Sequence, residues 1–180
     1  PEWVSGLLAV TAEIAKSYGR SFARGGLGVI LFDSHAAPPL VSPALYRKII
    51  LPPTAEVIHY FRRELGLPLV PYIIGGDTAA LLEEIIATGT NNVLCDYRAD
   101  LDFFIERLKD EPVLLRANLD PGFLRMRSPE LIKAKARDIL SRGCRHPRFL
   151  LGTGILPYDI SPEKVLAVRE AIGEDSRRSR

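Results

Sequence analysis

Leu27-Gly28-Val29-Ile30-Leu31-Phe32, closed by Asp33-Ser34-His35, is the stretch that sets the fold. A strand with one wet face alternates apolar and polar residues, so an unbroken apolar run predicts a strand covered on both faces, as in a parallel sheet. Before it, Leu7, Leu8, Val10, Ile14, Tyr18 and Phe22 recur at mostly three-and-four spacing, which predicts an amphipathic helix over residues 3–24 ended by Gly25-Gly26. After it, Ser42-Pro43 supplies a cap and a first helical residue for a helix to Leu65, which Pro52-Pro53 is expected to kink or interrupt.

The same order then repeats. Strands are predicted at Leu69–Ile74, Asn92–Cys95, Val113–Arg116 and Phe149–Leu151. Between and after them come helices at Asp77–Ala87, Asp100–Leu108, Ser128–Arg142 and Ser161–Ile172. Strict alternation with buried-type strands calls for parallel pairing through helical crossovers. Two architectures satisfy it, and on pattern alone a doubly wound sheet suits 180 residues better than a whole (β/α)8 barrel, which takes about 250. Neither GxGxxG nor a Walker A sequence follows the first strand, which weighs against a nucleotide-binding version.

Bulk properties narrow the function. The 24 basic and 22 acidic residues nearly cancel, so no footprint for nucleic acid or an anionic membrane is expected. Cys95 and Cys144 sit in no CxxC or CxH spacing, which fits a reducing compartment and a cytoplasmic location. The apolar runs fall well short of the roughly 20 residues a membrane helix needs. The chain opens on Pro1-Glu2-Trp3 rather than on a leader, and it is expected to be a piece of something longer. Residues 174–180, with Arg177, Arg178 and Arg180, are expected to form a disordered basic tail beyond a domain of residues 1–173.

In parallel α/β proteins, ligands bind beyond the carboxyl ends of the strands, where loops and helix N-termini converge. Those positions hold Asp33-Ser34-His35, Gly75-Gly76-Asp77-Thr78, Asp96-Tyr97-Arg98, Asn118-Leu119-Asp120-Pro121 and Gly152-Thr153-Gly154. Each also has a plain structural reading. Asp77-Thr78 suits a helix cap, Asn118-Asp120-Pro121 suits a turn, and His35 suits a structural donor as well as an acid or base. No His, Cys or carboxylate pair has metal-ligand spacing, so no metal is expected.

Read in order, these loops resemble the uroporphyrinogen decarboxylase superfamily. Phe32-Asp33-Ser34-His35-Ala36 with Ser42-Pro43 is similar to its "FDSW/HAG…SP" stretch. Asn118-Leu119-Asp120-Pro121 matches its "GNLDP" turn with Ala117 for the Gly, and Leu151-Gly152-Thr153-Gly154 with Pro162-Glu163 and Val165 resembles its "LGHGI.P….PE.V" ending. The resemblance spans residues 1 to about 173. It implies a (β/α)8 TIM-type barrel in place of the doubly wound sheet, with about the last five β/α units present. The family's catalytic aspartate and substrate arginines would then lie in the first three units. Five of eight units would also leave open sheet edges, so self-association or a missing N-terminal half is expected to cover them.

The resemblance implies cofactor-free decarboxylation of tetrapyrrole acetate side chains in porphyrin and heme synthesis. Ser34 matches a serine that hydrogen-bonds a substrate carboxylate, and Asp33, His35, Asp96, Asn118, Asp120 and Thr153 are the further substrate-binding candidates, with Ser34, Asn118, Asp120 and Thr153 expected at one mouth. Thr153 departs from the family's histidine, replacing a group able to carry positive charge with a neutral hydroxyl. A corrinoid-dependent methyltransferase is the alternative, because Gly76-Asp77-Thr78 looks like the "HxCGDT" turn of that branch. Its zinc-holding His and Cys places fall on Ile73 and Gly75, so a zinc-free relative with a corrinoid-protein partner would be meant. An inactive half-barrel with an assembly role is the third reading.

Overall fold

Helices and parallel strands alternate along the computed structural model, which describes residues 2–178 and their side chains as far as residue 173. The chain divides into two units, residues 1–94 and 95–180. In the first, α1 (Glu2–Arg24) leads to β1 (Leu31–Asp33), α2 (43–64), β2 (Tyr72–Ile74), α3 (79–87) and β3 (Asn92–Cys95), whose last residue opens the second unit. In the second, α4 (Leu101–Leu108), β4 (Leu114–Leu119), α5 (Pro121–Met126), α6 (Pro129–Gly143), β5 (Phe149–Thr153) and α7 (Pro162–Arg178) follow. β1 pairs with β2, β2 with β3, and β4 with β5, all in parallel. The helix predicted to end at Ile172 continues to Arg178, and residues 179 and 180 of the expected tail lie outside the described residues.

In the first unit the expected covering of β1 is not met, since Phe32 is 59% exposed and Ile30 and Leu27 are exposed as well. β1 stands at the end of the strand order, with β2 as its neighbour. α1 forms as predicted, yet Leu7, Val10, Ile14, Tyr18 and Phe22 lie in solvent together with Trp3, which is 93% exposed. The buried residues of this helix are the small Ala12 and Gly19, because a Cβ at position 19 would collide with the Phe61 ring of α2. Arg20 Nε donates to the Tyr60 hydroxyl at 2.7 Å, and Lys16 pairs with Glu56, fastening the same face.

Pro52-Pro53 does not break α2. A wide π turn over Tyr46–Ile50 precedes the α segment Leu51–His59, which has proline in its first turn, and Leu51 N bonds back to Tyr46 O. Proline lacks the N–H that would bind four residues back, and the wider turn absorbs that deficit. The strand predicted from Leu69 begins only at Tyr72 because side chains occupy the preceding backbone groups. Asn91 Oδ1 accepts from Val70 N at 2.9 Å, and Thr90 Oγ1 donates to Val70 O at 2.8 Å.

In the second unit, α4 buries Leu101, Phe104, Ile105 and Leu108, one helical stripe in which each large side chain contributes about 1.5–3 kcal/mol. Asp100 caps it, accepting from Asp102 N at 3.0 Å. The buried His146 closes the other end. Its Nε2 lies 3.1 Å from Leu108 O and its Nδ1 lies 3.0 Å from Arg148 O, so the ring ties the end of α4 to the start of β5. At the start of α6, the Ser128 side chain makes no capping bond to the helix backbone. Instead the Glu130 carboxyl takes its own N–H and the Ser128 hydroxyl, which hold its pKa below the ordinary value.

Candidate functional site

The second unit gathers polar groups at the ends of three strands. β4 alternates, with Leu115, Ala117 and Leu119 buried on one side and Arg116 and Asn118 on the other. Asn118 is 8% exposed and works as a bridge. Its Oδ1 accepts from Arg116 Nε at 3.1 Å, and its Nδ2 stands 3.5 Å from Oδ1 of the buried Asp96. Arg116 also donates through Nη2 to the Thr153 carbonyl at 3.3 Å. Parallel register sets Asn118 against Gly152 and Leu119 against Thr153, so the ends of β4 and β5 meet at one level.

Both glycines of Gly152-Thr153-Gly154 are closely approached, Gly154 by a rigid proline ring and Gly152 by the movable end of a long side chain. A Cβ at 152 would come 2.8 Å from Arg116 Nε, and one at 154 would come 2.8 Å from Pro121 Cγ and 3.2 Å from Tyr97 Cε1. Asp120 caps α5, accepting from Gly122 N at 2.8 Å, which matches the plain reading of the Asn-Leu-Asp-Pro turn. It also lines a cavity of about 360 Å³ beside Asp96, Asn118, Asp100, Phe123 and Lys135. Carboxylates, an amide and a lysine around an aromatic ring form a pocket suited to a polar, partly flat ligand.

The first unit holds the other candidates. Ser34 Oγ lies 2.8 Å from His35 Nδ1, and Asp33 Oδ1 accepts the His35 backbone N–H at 3.2 Å. Ser34 and His35 are exposed, and Asp33 is half-buried. Behind them, Asp33, Thr54, Val57 and Tyr72 line a cavity of about 210 Å³. Tyr46 donates to the Tyr72 hydroxyl at 3.1 Å, both rings being buried. Burial, reinforced by the Asp33 charge, pushes Tyr72 up to about 12 and Tyr46 higher still, so both stay protonated donors.

The structure thus joins Asp96, Asn118 and Thr153 in one network with Asp120 beside it, and Asp33, Ser34 and His35 in a second cluster. Sequence reasoning missed Arg116. Its signal was a single charge inside an apolar run, read as the last residue of a strand. Asp77 bonds the Ala79 N–H at 3.0 Å as a cap, after Gly76 has turned the chain at φ 86°, while Thr78 is fully buried with its hydroxyl unpaired. Among the described residues, no three His, Cys, Asp or Glu side chains converge as a metal-binding group, and no helix is long and apolar enough to cross a membrane.

Comparison with known proteins bears on both units. The family model for uroporphyrinogen decarboxylase (URO-D) matches residues 1–174. The chain is 38% identical to a uroporphyrinogen decarboxylase of Chloroflexus aggregans over 73% of its own length and 37% of that protein's. It is 30% identical to one of Burkholderia pseudomallei over 98% of its length and 48% of that protein's. A methyltransferase from Methanosarcina mazei shares the fold with a TM-score of 0.77 at 20% identity, covering 92% of this chain and 47% of that one. The chain therefore spans about half the length of these relatives, and its parallel α/β architecture is that of a partial TIM-type barrel rather than a doubly wound sheet. Strand-end motifs, parallel pairing and a match over nearly every residue agree that this chain belongs to the uroporphyrinogen decarboxylase family.

Proposed function

We propose that the chain is the later part of a decarboxylase acting, without a cofactor, on the acetate side chains of a tetrapyrrole in porphyrin and heme synthesis, in the cytoplasm. The observation that carries this reading is the family match over residues 1–174, with relatives named uroporphyrinogen decarboxylase. The strand-end chemistry supports it. Ser34 has a hydroxyl for a side-chain carboxylate, and the Asp96, Arg116 and Asn118 group offers oriented amide and guanidinium donors. Catalytic groups are expected in the half of the relatives' length that this chain does not span.

The test is titration of the chain with coproporphyrin III, followed by amide NMR. Ser34, Asn118, Asp120 and Thr153 are expected to shift. A response confined to the opposite strand ends, at Asn91 and His146, would contradict the proposal. Methyl transfer is the second reading, favoured by the fold shared with a methyltransferase and by Thr153 standing where the decarboxylase motif has histidine. Its partner would be a corrinoid protein, and saturable binding of that protein with no response to porphyrin would select it. A purely structural half-barrel would respond to neither. Self-association, or union with a half bearing the earlier units, is proposed to cover the exposed edge at β1; a persistent monomer by light scattering would exclude the former.

A further inference from the structure

We infer that Arg116 is a carboxylate-binding residue of this chain, its guanidinium held by protein on one edge and presented to ligand on the other. A half-buried charged group is costly unless something compensates it. Several other cations of this unit have carboxylates within reach. Arg142 and Arg145 share Asp102, Lys133 pairs with Glu170, and Arg125 pairs with Asp159. Arg116 instead bonds two neutral acceptors, Asn118 Oδ1 and the Thr153 carbonyl. The Asn118 amide also separates it from the nearby carboxylate of Asp96, touching one charge with its oxygen and the other with its nitrogen.

Counting donors shows what is left over. A guanidinium carries five N–H groups in a fixed plane. Nε and one hydrogen of Nη2 serve Asn118 and Thr153, which leaves both Nη1 hydrogens and the second of Nη2. Nη1 and Nη2 together make the end-on fork that meets a carboxylate through two parallel bonds. Gly152 completes the arrangement: any side chain there would displace the Nε edge, so the glycine fixes where the fork sits. Because both anchoring bonds are on one edge, ligand binding at the other requires no rearrangement of the side chain.

This inference rests on the proposed carboxylated substrate only for its ligand class, and the test separates the two. The full chain is titrated with coproporphyrin III, with its tetramethyl ester, which has the ring but no free carboxylate, with citrate, which has carboxylates but no ring, and with inorganic phosphate. R116Q retains a side-chain donor without the charge, and G152A retains the charge but moves it; circular dichroism monitors the fold of each. R116Q is expected to weaken coproporphyrin III and citrate at least tenfold and to leave the ester unchanged, and G152A to weaken the two acids several-fold. Unaltered acid binding in both variants would overturn the inference, as would an ester bound as tightly as the free acid or phosphate bound more tightly than citrate. Citrate binding that depends on Arg116, with no porphyrin binding at all, would sink the tetrapyrrole reading and leave the carboxylate site standing. Porphyrin binding indifferent to R116Q would do the reverse.

Discussion

The two polar clusters are built in opposite ways. Asp33, Ser34 and His35 are consecutive residues bonded to one another on an exposed strand end, whereas Asp96, Arg116, Asn118 and Thr153 come from three strand ends and meet with Asn118 and Asp96 buried. The first costs little to form and little to lose. The second exists only when the strands are in register, so its geometry and the stability of its unit are one property.

The sharpest way to break the contrast is to remove the bridge. Asn118→Ala removes the amide that contacts both the guanidinium edge and the buried carboxylate, and should lower stability by about 2–3 kcal/mol, read as a shift in urea midpoint at constant slope. Alkali probes the deeper layer of the other unit. Tyr72 has its pKa raised from 10.0 to about 12, so the folded state holds that proton more tightly than the unfolded chain does. The associated stability is complete below pH 10 and is lost as pH rises toward 12, with Tyr46 adding in the same sense. Absorbance at the tyrosinate band should show two of the six tyrosines ionising only as the fold is lost; smooth titration of all six would refute the buried pair.

Smaller effects complete the comparison. Thr78→Val replaces a buried, unpaired hydroxyl with a methyl of similar shape and should raise stability by about 1 kcal/mol in the same assay. Ser34→Ala, on the exposed cluster, should stay within about 0.5 kcal/mol of the parent. A large loss there would mean that the exposed cluster is tied into the core after all.

What the sequence disclosed follows the same division between local and distant. β3 was placed at both ends, and the Asp100 cap with its following apolar stripe located α4, because caps and periodicity are written in neighbouring residues. α5 went unseen although Asp120-Pro121 is a cap followed by a first-turn proline, since six residues are too few to show a period. Arg116 was hidden for another reason: its partner carbonyl lies 37 residues away and carries no side-chain signature. α1 was found, but not which side of it would be buried. Periodicity marks the apolar stripe, and here the small residues Ala12 and Gly19 make the helix contact instead.

That inverted helix has a practical consequence. Trp3 is the single tryptophan of the chain and stands almost fully in water at the head of the bare stripe on α1. The molecule thus carries its own optical gauge. Its emission should be red-lying and open to quenching by iodide in the isolated chain, and should turn blue and shielded when another surface comes to rest along that helix, with no dye or label added.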